Sequence, residues 1–302
     1  MKRFVLLIVA GLLAAMETVA AAPAKHVVLI GVDGLGAYGL RKIEKARIPN
    51  LCNIMEGGAW TLKDRSVLAS SSAINWASMF TGLPTELHGY TKWNSAKPEI
   101  KPNLVNERGV SPTIFSEIRR QRPNARTEVI AEWNGIGALI DKPAVDRYFL
   151  IPGKYEDHPQ MIIDEAVRAI KERKPALLAV CIDQIDHIGH RIGHDTPAYY
   201  DGIAALDGYV GRILKAVQDA GIVKDTVIIL TADHGGTKKG HGGISPAEME
   251  IPFLIYGAPL KTKGEIPVQM MQYDCAAVIA DALGIAPNAN WRGRTVPGLF
   301  RH

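Results

Sequence analysis

Three short apolar runs, each leading into an aspartate, constrain the fold of this chain more than any other feature. Residues 26–32 read His-Val-Val-Leu-Ile-Gly-Val and meet Asp33-Gly34. Residues 175–182 read Pro-Ala-Leu-Leu-Ala-Val-Cys-Ile and meet Asp183. Residues 227–230 read Val-Ile-Ile-Leu and lead through Thr231 and Ala232 to Asp233-His234. An unbroken apolar run of this length suits a strand covered on both faces, the environment of a parallel sheet. Residues 251–256 make a fourth run, with Pro252 near its start marking a strand start or an edge, and residues 127–131 make a weaker fifth. Helical patterns lie between them, at 48–57, 111–119, 161–171, 196–221 and 274–283. Ser-Pro or Thr-Pro opens two of these, and glycine closes others. Strands alternating with helices predict an α/β fold, a mainly parallel sheet with helices on both faces. Ligands of such sheets bind beyond the carboxyl ends of the strands, so Asp33, Asp183 or Asp186, and Asp233-His234 are expected to converge.

The first 22 residues have a basic start, an apolar run and then small residues, the layout of a secretory leader. Cleavage is expected between positions 20 and 25, leaving residues 23–302 as a single catalytic domain in the periplasm or outside the cell. No later stretch is long and apolar enough to span a membrane. Segments 95–110 and 132–158, rich in Pro, Gly and Trp, read as loops or a small lid. Removal of the leader, with Lys2, Arg3 and Glu17, lowers the formal charge from +4 to +3, which gives no reason to expect a nucleic-acid or membrane-surface partner. Cys52, Cys181 and Cys275 form neither a CxxC pair nor a disulfide framework, and Cys181 reads as core.

Asp186 and His190 stand four apart, Asp233 and His234 are adjacent, Asp33 adds a carboxylate and His241 an imidazole. Together they make six ligands, three for each of two metal ions, the arrangement that clamps both attacking and leaving oxygens in hydrolytic sites. Zinc is the metal expected from mixed imidazole and carboxylate donors; manganese or iron would accept the same set. An aspartate after a strand is ordinarily a helix cap, so Asp33 alone carries little weight and the six together carry much more. Ser70, Ser71 and Ser72 precede an apolar helical stretch. A hydroxyl there lies in a potential that favours an anionic substrate, although capping is the commoner use of such a serine.

Val32-Asp-Gly34, Ser72-Ala-Ile-Asn75, the stretch 81–89 with Asn94 after it, Asp186-x-x-Gly-His190 and Asp233-His-Gly235 together resemble the type I phosphodiesterase/nucleotide pyrophosphatase family of the alkaline phosphatase superfamily. The resemblance follows the family's order over most of the chain after the leader. It implies an alkaline-phosphatase-like doubly wound sheet carrying two zinc ions, and a small phosphorylated substrate such as a nucleotide. The position of the family's threonine nucleophile is held by Ser72, with Ser71 as the alternative. The resemblance implies one zinc on Asp33, Asp233 and His234 beside Ser72, and the other on Asp186, His190 and a later histidine. It also implies that Asn94 donates to a phosphoryl oxygen.

The family often takes its last histidine from far downstream, where this chain has only His302. His241 is the expected ligand, with His194 and His187 as competitors; Asp183 competes with Asp186. Trp76 and Trp133 are candidates to stack on a nucleobase. The motifs contain no arginine, which favours diesters over monoesters, although a phosphomonoesterase or phosphonate hydrolase would use the same metals. Ser72-Ala-Ile-Asn-Trp76 lacks the proline and arginine that a sulfatase places around its nucleophile, and a phosphoglycerate-type mutase would carry a large inserted domain. An exported binding protein that has lost activity is the remaining rival, and the six filled positions argue against it.

Overall fold

The computed structural model describes residues 22–152 and 160–301; the expected leader at 1–22 and part of the expected lid, 153–159, lie outside them but for residue 22. Eight strands form one sheet: β1 His26–Val32, β2 Ala59–Arg65, β3 Thr127–Ala131, β4 Arg147–Leu150, β5 Leu177–Ile182, β6 Thr226–Ala232, β7 Glu250–Gly257 and β8 Gly264–Glu265. Their spatial order is β4-β3-β5-β1-β6-β7-β2-β8. The five strands from β4 to β6 run parallel, while β7 is antiparallel to both of its neighbours.

The apolar runs are continuous because both faces of the central strands are covered. Along β1, Val27 and Leu29 enter one core with Trp76, Phe80 and Phe115, while Val28, Ile30 and Val32 enter another with Tyr199, Ile203 and Leu206. Helices Ser72–Thr81, Ile114–Gln121 and Asp274–Ala282 cover the first face. Pro49–Gly57, Met161–Arg168 and Pro197–Asp219 cover the second. At roughly 1.5–3 kcal/mol for each large apolar side chain removed from water, these two layers hold the carboxyl ends of β1, β5 and β6 in fixed register.

Several local expectations need correction. Pro252 lies neither at a strand start nor on an edge; β7 sits between β6 and β2. The proline is accommodated because the register of β2 shifts between Thr61 and Asp64 opposite it, a bulge that relieves the lost ladder bond. Its carbonyl is used as well, accepting from Thr231 Oγ1 at 2.9 Å. The segment 132–158 is not all loop, since it supplies edge strand β4. Asp274 is the first residue of its helix. Its carboxylate accepts from the Met271 and Arg294 amides, both at 2.8 Å.

Candidate metal centre

Three strand ends deliver the charged groups. Asp33 follows β1, and its backbone carbonyl accepts from the Asp186 amide at 3.1 Å, docking the helix Gln184–Arg191 against the β1 turn. Gly34 is required there: its φ is +73°, and a Cβ would lie 2.7 Å from the Asp186 backbone. Asp233 follows β6, and its Oδ1 accepts from the amides of Gly34 at 3.1 Å and His234 at 2.7 Å. Helix geometry places Asp186 and His190 on one face, with His190 Nε2 3.1 Å from Asp186 Oδ2.

Six of these side chains form two adjoining groups, Asp33–Asp233–His234 and Asp186–His190–His241. In the first, His234 Nε2 lies 3.4 Å from Asp33 Oδ1 and 3.3 Å from Asp233 Oδ2. In the second, His241 Nε2 lies 3.1 Å from His190 Nε2 and 3.8 Å from Asp186 Oδ1. The His234 and His241 rings stack with centroids 3.8 Å apart, joining the groups.

All three imidazoles are oriented alike. Each Nδ1 faces a backbone carbonyl: His234 that of Gly235 at 2.8 Å, His190 that of Lys239 at 3.0 Å, and His241 that of Ser70 at 3.1 Å. A carbonyl only accepts, so Nδ1 carries the hydrogen and Nε2 presents its lone pair inward. The facing Nε2 atoms of His190 and His241 need either a proton or a metal cation between them. The carboxylates agree, because Asp33 Oδ1, Asp233 Oδ2 and Asp186 Oδ1 are buried without a hydrogen-bond partner, a costly state unless an ion is held there. The donor set therefore fits divalent metal, with the carbonyls fixing each ring as in known metal sites.

The acid–base behaviour of the metal-free groups carries the same message. Burial, then the charges of Asp233, Asp186 and Asp183, holds the Asp33 carboxyl well above its usual range; burial and Asp186 do the same to Asp233. Burial lowers His234 to about 3. Burial would raise Asp186, but the His190 hydrogen bond and the charges of the surrounding imidazoles bring it down to about 2. Its partner His190 is raised to about 9, chiefly by that hydrogen bond.

Ser72 opens the buried helix Ser72–Thr81, and its Oγ lies 3.2 Å from His234 Nε2. The capping alternative is not used: Ser71 is the N-cap residue, and its side chain makes no capping bond. Asn75, fully buried, accepts from the Val67 amide at 2.6 Å and donates to the carbonyls of Ala69 at 2.9 Å and Ser71 at 3.1 Å. It thereby pins the loop that presents the serines. Ser70 Oγ donates to the Gly243 carbonyl at 2.8 Å and accepts from the Gly242 amide at 3.2 Å, fastening the His241 loop to the serine loop. Glu248 accepts from the Gly243 amide at 2.8 Å on the far side of that loop. Tyr199 donates to the Gly34 carbonyl at 2.9 Å and accepts from the Gly36 amide at 3.0 Å, holding the β1 turn. Sequence reasoning missed the roles of Ser70, Glu248 and Tyr199. The bonds of Ser70 and Tyr199 join segments more than 160 positions apart, so no local spacing records them, and Glu248 acts within its own loop, five residues from Gly243.

The centre opens into a cavity of about 510 Å³ walled by Trp93, Trp133, Asp183 and His187. Trp76 is not available for stacking, because it is 1% exposed in the core and donates Nε1–H to Asp33 Oδ2 at 3.2 Å. Trp93, unnoticed in the sequence, is 59% exposed and stands at the rim. Asn94 is exposed on the same turn and does not line the cavity. His194 is buried behind Asp186, its Nε2 4.0 Å from Asp186 Oδ1. The ring fits only because Gly236 stands beside it, where a Cβ would come within 2.3 Å. A larger cavity of about 640 Å³ lies at the other end of the sheet, among Asn50, Gly211 and Tyr256, away from all of these groups.

The profile of the family described as type I phosphodiesterase/nucleotide pyrophosphatase matches residues 27–241, from β1 to the His241 loop. The chain belongs to that family. Among curated relatives, the human bis(5'-adenosyl)-triphosphatase ENPP4 is 22% identical over 247 residues, covering 79% of this chain and 53% of its own length. A phosphopentomutase of Alkaliphilus oremlandii is 32% identical over 120 residues, 40% of this chain and 28% of the mutase. The chain thus spans about half or less of the length of such relatives. Human ENPP5 superposes with a TM-score of 0.71 at 16% identity, covering 92% of this chain and all of that one (100%). An inactive murine ENPP5 in complex with AMP gives 0.66 at 16% identity, over 87% and 96%. A 2-O GAG sulfatase gives 0.69 at 14% identity, over 92% and 75%. These structures share the alkaline-phosphatase-like fold. In this member of the phosphodiesterase family, the matched region carries the serine and all six converging groups.

Proposed function

We propose that residues 23–302 form an exported, two-metal phosphodiesterase that works through a phosphoseryl intermediate, with Ser72 as nucleophile. The observation that carries this reading is the convergence of three inward-facing Nε2 atoms and three orphaned carboxylate oxygens beside the Ser72 hydroxyl. Asp33, Asp233 and His234 would hold one ion and Asp186, His190 and His241 the other. Bound there, two divalent ions, zinc by preference of the donors, would offset charge on the phosphoryl oxygens and ease ionisation of the serine. Ser72 Oγ then forms a bond to phosphorus as the ester bond to the leaving alcohol breaks, and the serine proton ends on that alcohol. Water hydrolyses the phosphoseryl group, returning the serine and releasing a phosphomonoester and a proton. Asn75 and the Ser70 clasp keep the hydroxyl in line, and Asn94, which stands outside the cavity lining, would donate to a phosphoryl oxygen once the rim turn folds over bound substrate.

Diesters are favoured over monoesters because no lysine or arginine is among the described residues lining the cavity, and a monoester brings an extra charge. The AMP held by the murine relative supports a nucleotide-like or similarly small substrate. Chelated and metal-restored protein should be assayed on bis-p-nitrophenyl phosphate and p-nitrophenyl phosphate, with acid-quenched samples mapped by mass spectrometry. The expected outcome is metal-dependent cleavage of the diester and a p-nitrophenyl phosphoryl group trapped on Ser72. Cleavage that survives chelation, or a label on Ser71, would contradict the assignment.

A further inference from the structure

The cavity of about 640 Å³ at the far end of the sheet has a lining opposite in sign to the metal centre. Lys215, Lys263 and Arg301 stand in its wall, and no aspartate or glutamate is among its described lining residues. The cavity at the metal centre has Asp33, Asp183 and Asp186 and no described lysine or arginine. Lys215 is partly neutralised by Asp219 at 2.9 Å. Arg301 is anchored over the cavity, its Nε donating to the Leu260 carbonyl at 2.9 Å and its backbone amide to that of Pro259 at 3.2 Å. Among the described residues, neither Arg301 nor Lys263 has a carboxylate partner.

The rest of the lining is largely apolar, with Leu214, Val217, Val223, Ile228, Leu260 and the Tyr256 ring. Val223 is 46% exposed there, apolar surface left to water. The walls are preformed. Asn50 Nδ2 donates to Asp207 Oδ2 at 2.8 Å and to its carbonyl at 3.2 Å, and Gly211 leaves room for that amide, which a Cβ would meet at 2.7 Å. Gly57 does the same for the Tyr256 ring, again at 2.7 Å. A bare ion gains nothing from the apolar lining, and a neutral hydrocarbon gains nothing from the cations. A molecule with both features gains from each.

We propose that this cavity binds an amphipathic carboxylate, an apolar chain or ring bearing one acid group, with the acid toward Lys263 and Arg301 and the apolar body over Val217, Val223 and Ile228. The volume lies within the range of small-molecule sites. The site is separate from the hydrolytic centre, because β6 runs from Thr226 in this cavity to the Asp233 turn, roughly 20 Å away at the rise of a strand.

The test is isothermal titration calorimetry of the metal-loaded protein with laurate, kept below its micelle-forming concentration, beside dodecyltrimethylammonium and acetate. Laurate should bind once per chain and more weakly as salt is raised, while the cationic chain and acetate should not bind. Lys263→Glu combined with Arg301→Glu should weaken laurate about tenfold or more. Val223→Asp, at an exposed position, should weaken it as well, and it keeps the proposal testable where the double variant fails to fold. Circular dichroism melts should show the variants folded. 1-Naphthoate, offered in parallel, separates a ring-bearing acid from an acyl chain, and binding of either at this cavity meets the proposal. Failure of both acids to bind, equal binding of the cationic chain, or affinity unchanged in folded variants would overturn it. None of these results bears on the diesterase reading, which rests on other residues.

Discussion

The two triads use nearly the same donors in different surroundings. Asp33, Asp233 and His234 are each at most 2% exposed, whereas the His190 side chain is 47% exposed at the cavity mouth. Burial drives His234 down to about 3, while the partly solvated His190 is drawn up to about 9 by Asp186. The outer triad opens to solvent through His190, whereas Asp233 and His234 of the inner one are closed off from it. The inner site is therefore expected to keep its ion tightly and activate Ser72, and the outer one to exchange its ion and meet the substrate.

The largest expected effect lies between the two sites. Ser72→Ala should lower kcat on bis-p-nitrophenyl phosphate by roughly 10⁴-fold while both metals stay bound, as read by steady-state kinetics with metal analysis. A variant with more than about a tenth of wild-type activity would move the role of nucleophile elsewhere.

Next come the ligands themselves. His190→Ala should lose the outer ion and keep the inner, leaving the melting temperature almost unchanged. Asp233→Asn should lose the inner ion and unfold at lower temperature, because it leaves the other buried groups of that triad uncompensated. Equal losses of metal and stability in the two variants would remove the distinction between the triads.

A pH series separates them further. In metal-free protein Asp33 and Asp233 are raised by burial, so the folded chain holds their protons more tightly than the unfolded chain. Their contribution is fully present below the unfolded carboxylate value of about 4 and is lost as pH rises toward the folded values. Chelated protein should thus melt at progressively lower temperature above about pH 4, and metal-loaded protein should not follow it. His190, raised to about 9, must shed a proton to bind metal, so outer-site affinity should climb between about pH 6.5 and 9. Calorimetry in buffers of different ionisation heat would read that proton release.

Ser70→Ala should have the smallest effect. It removes the clasp on the His241 loop and should weaken the outer site by about 10–100-fold with no change at the inner one. A matching loss at both sites would show that the serine loop supports the centre as a whole.

Much of this was legible in the sequence. The central strands announced themselves because both faces are buried, which leaves an unbroken apolar run, and the six converging groups stood at or near their ends. β2 escaped because it alternates and carries Lys63 and Asp64 beside a bulge. β4 escaped because it is a four-residue edge strand with no buried position. Trp76 was misread because indole stacking and indole packing have the same composition; only its bond to Asp33 tells them apart. The Ser70 clasp joins residues more than 170 positions apart, beyond any local pattern.

The central claim is that the two triads are two adjacent metal sites, and metal content of purified, folded protein tests it most directly. Inductively coupled plasma mass spectrometry after exhaustive dialysis, then after strong chelation, should give two divalent ions per chain, one lost readily and one retained longer. A folded chain that holds no stoichiometric metal, and takes up none when zinc is supplied, would contradict the account at its root.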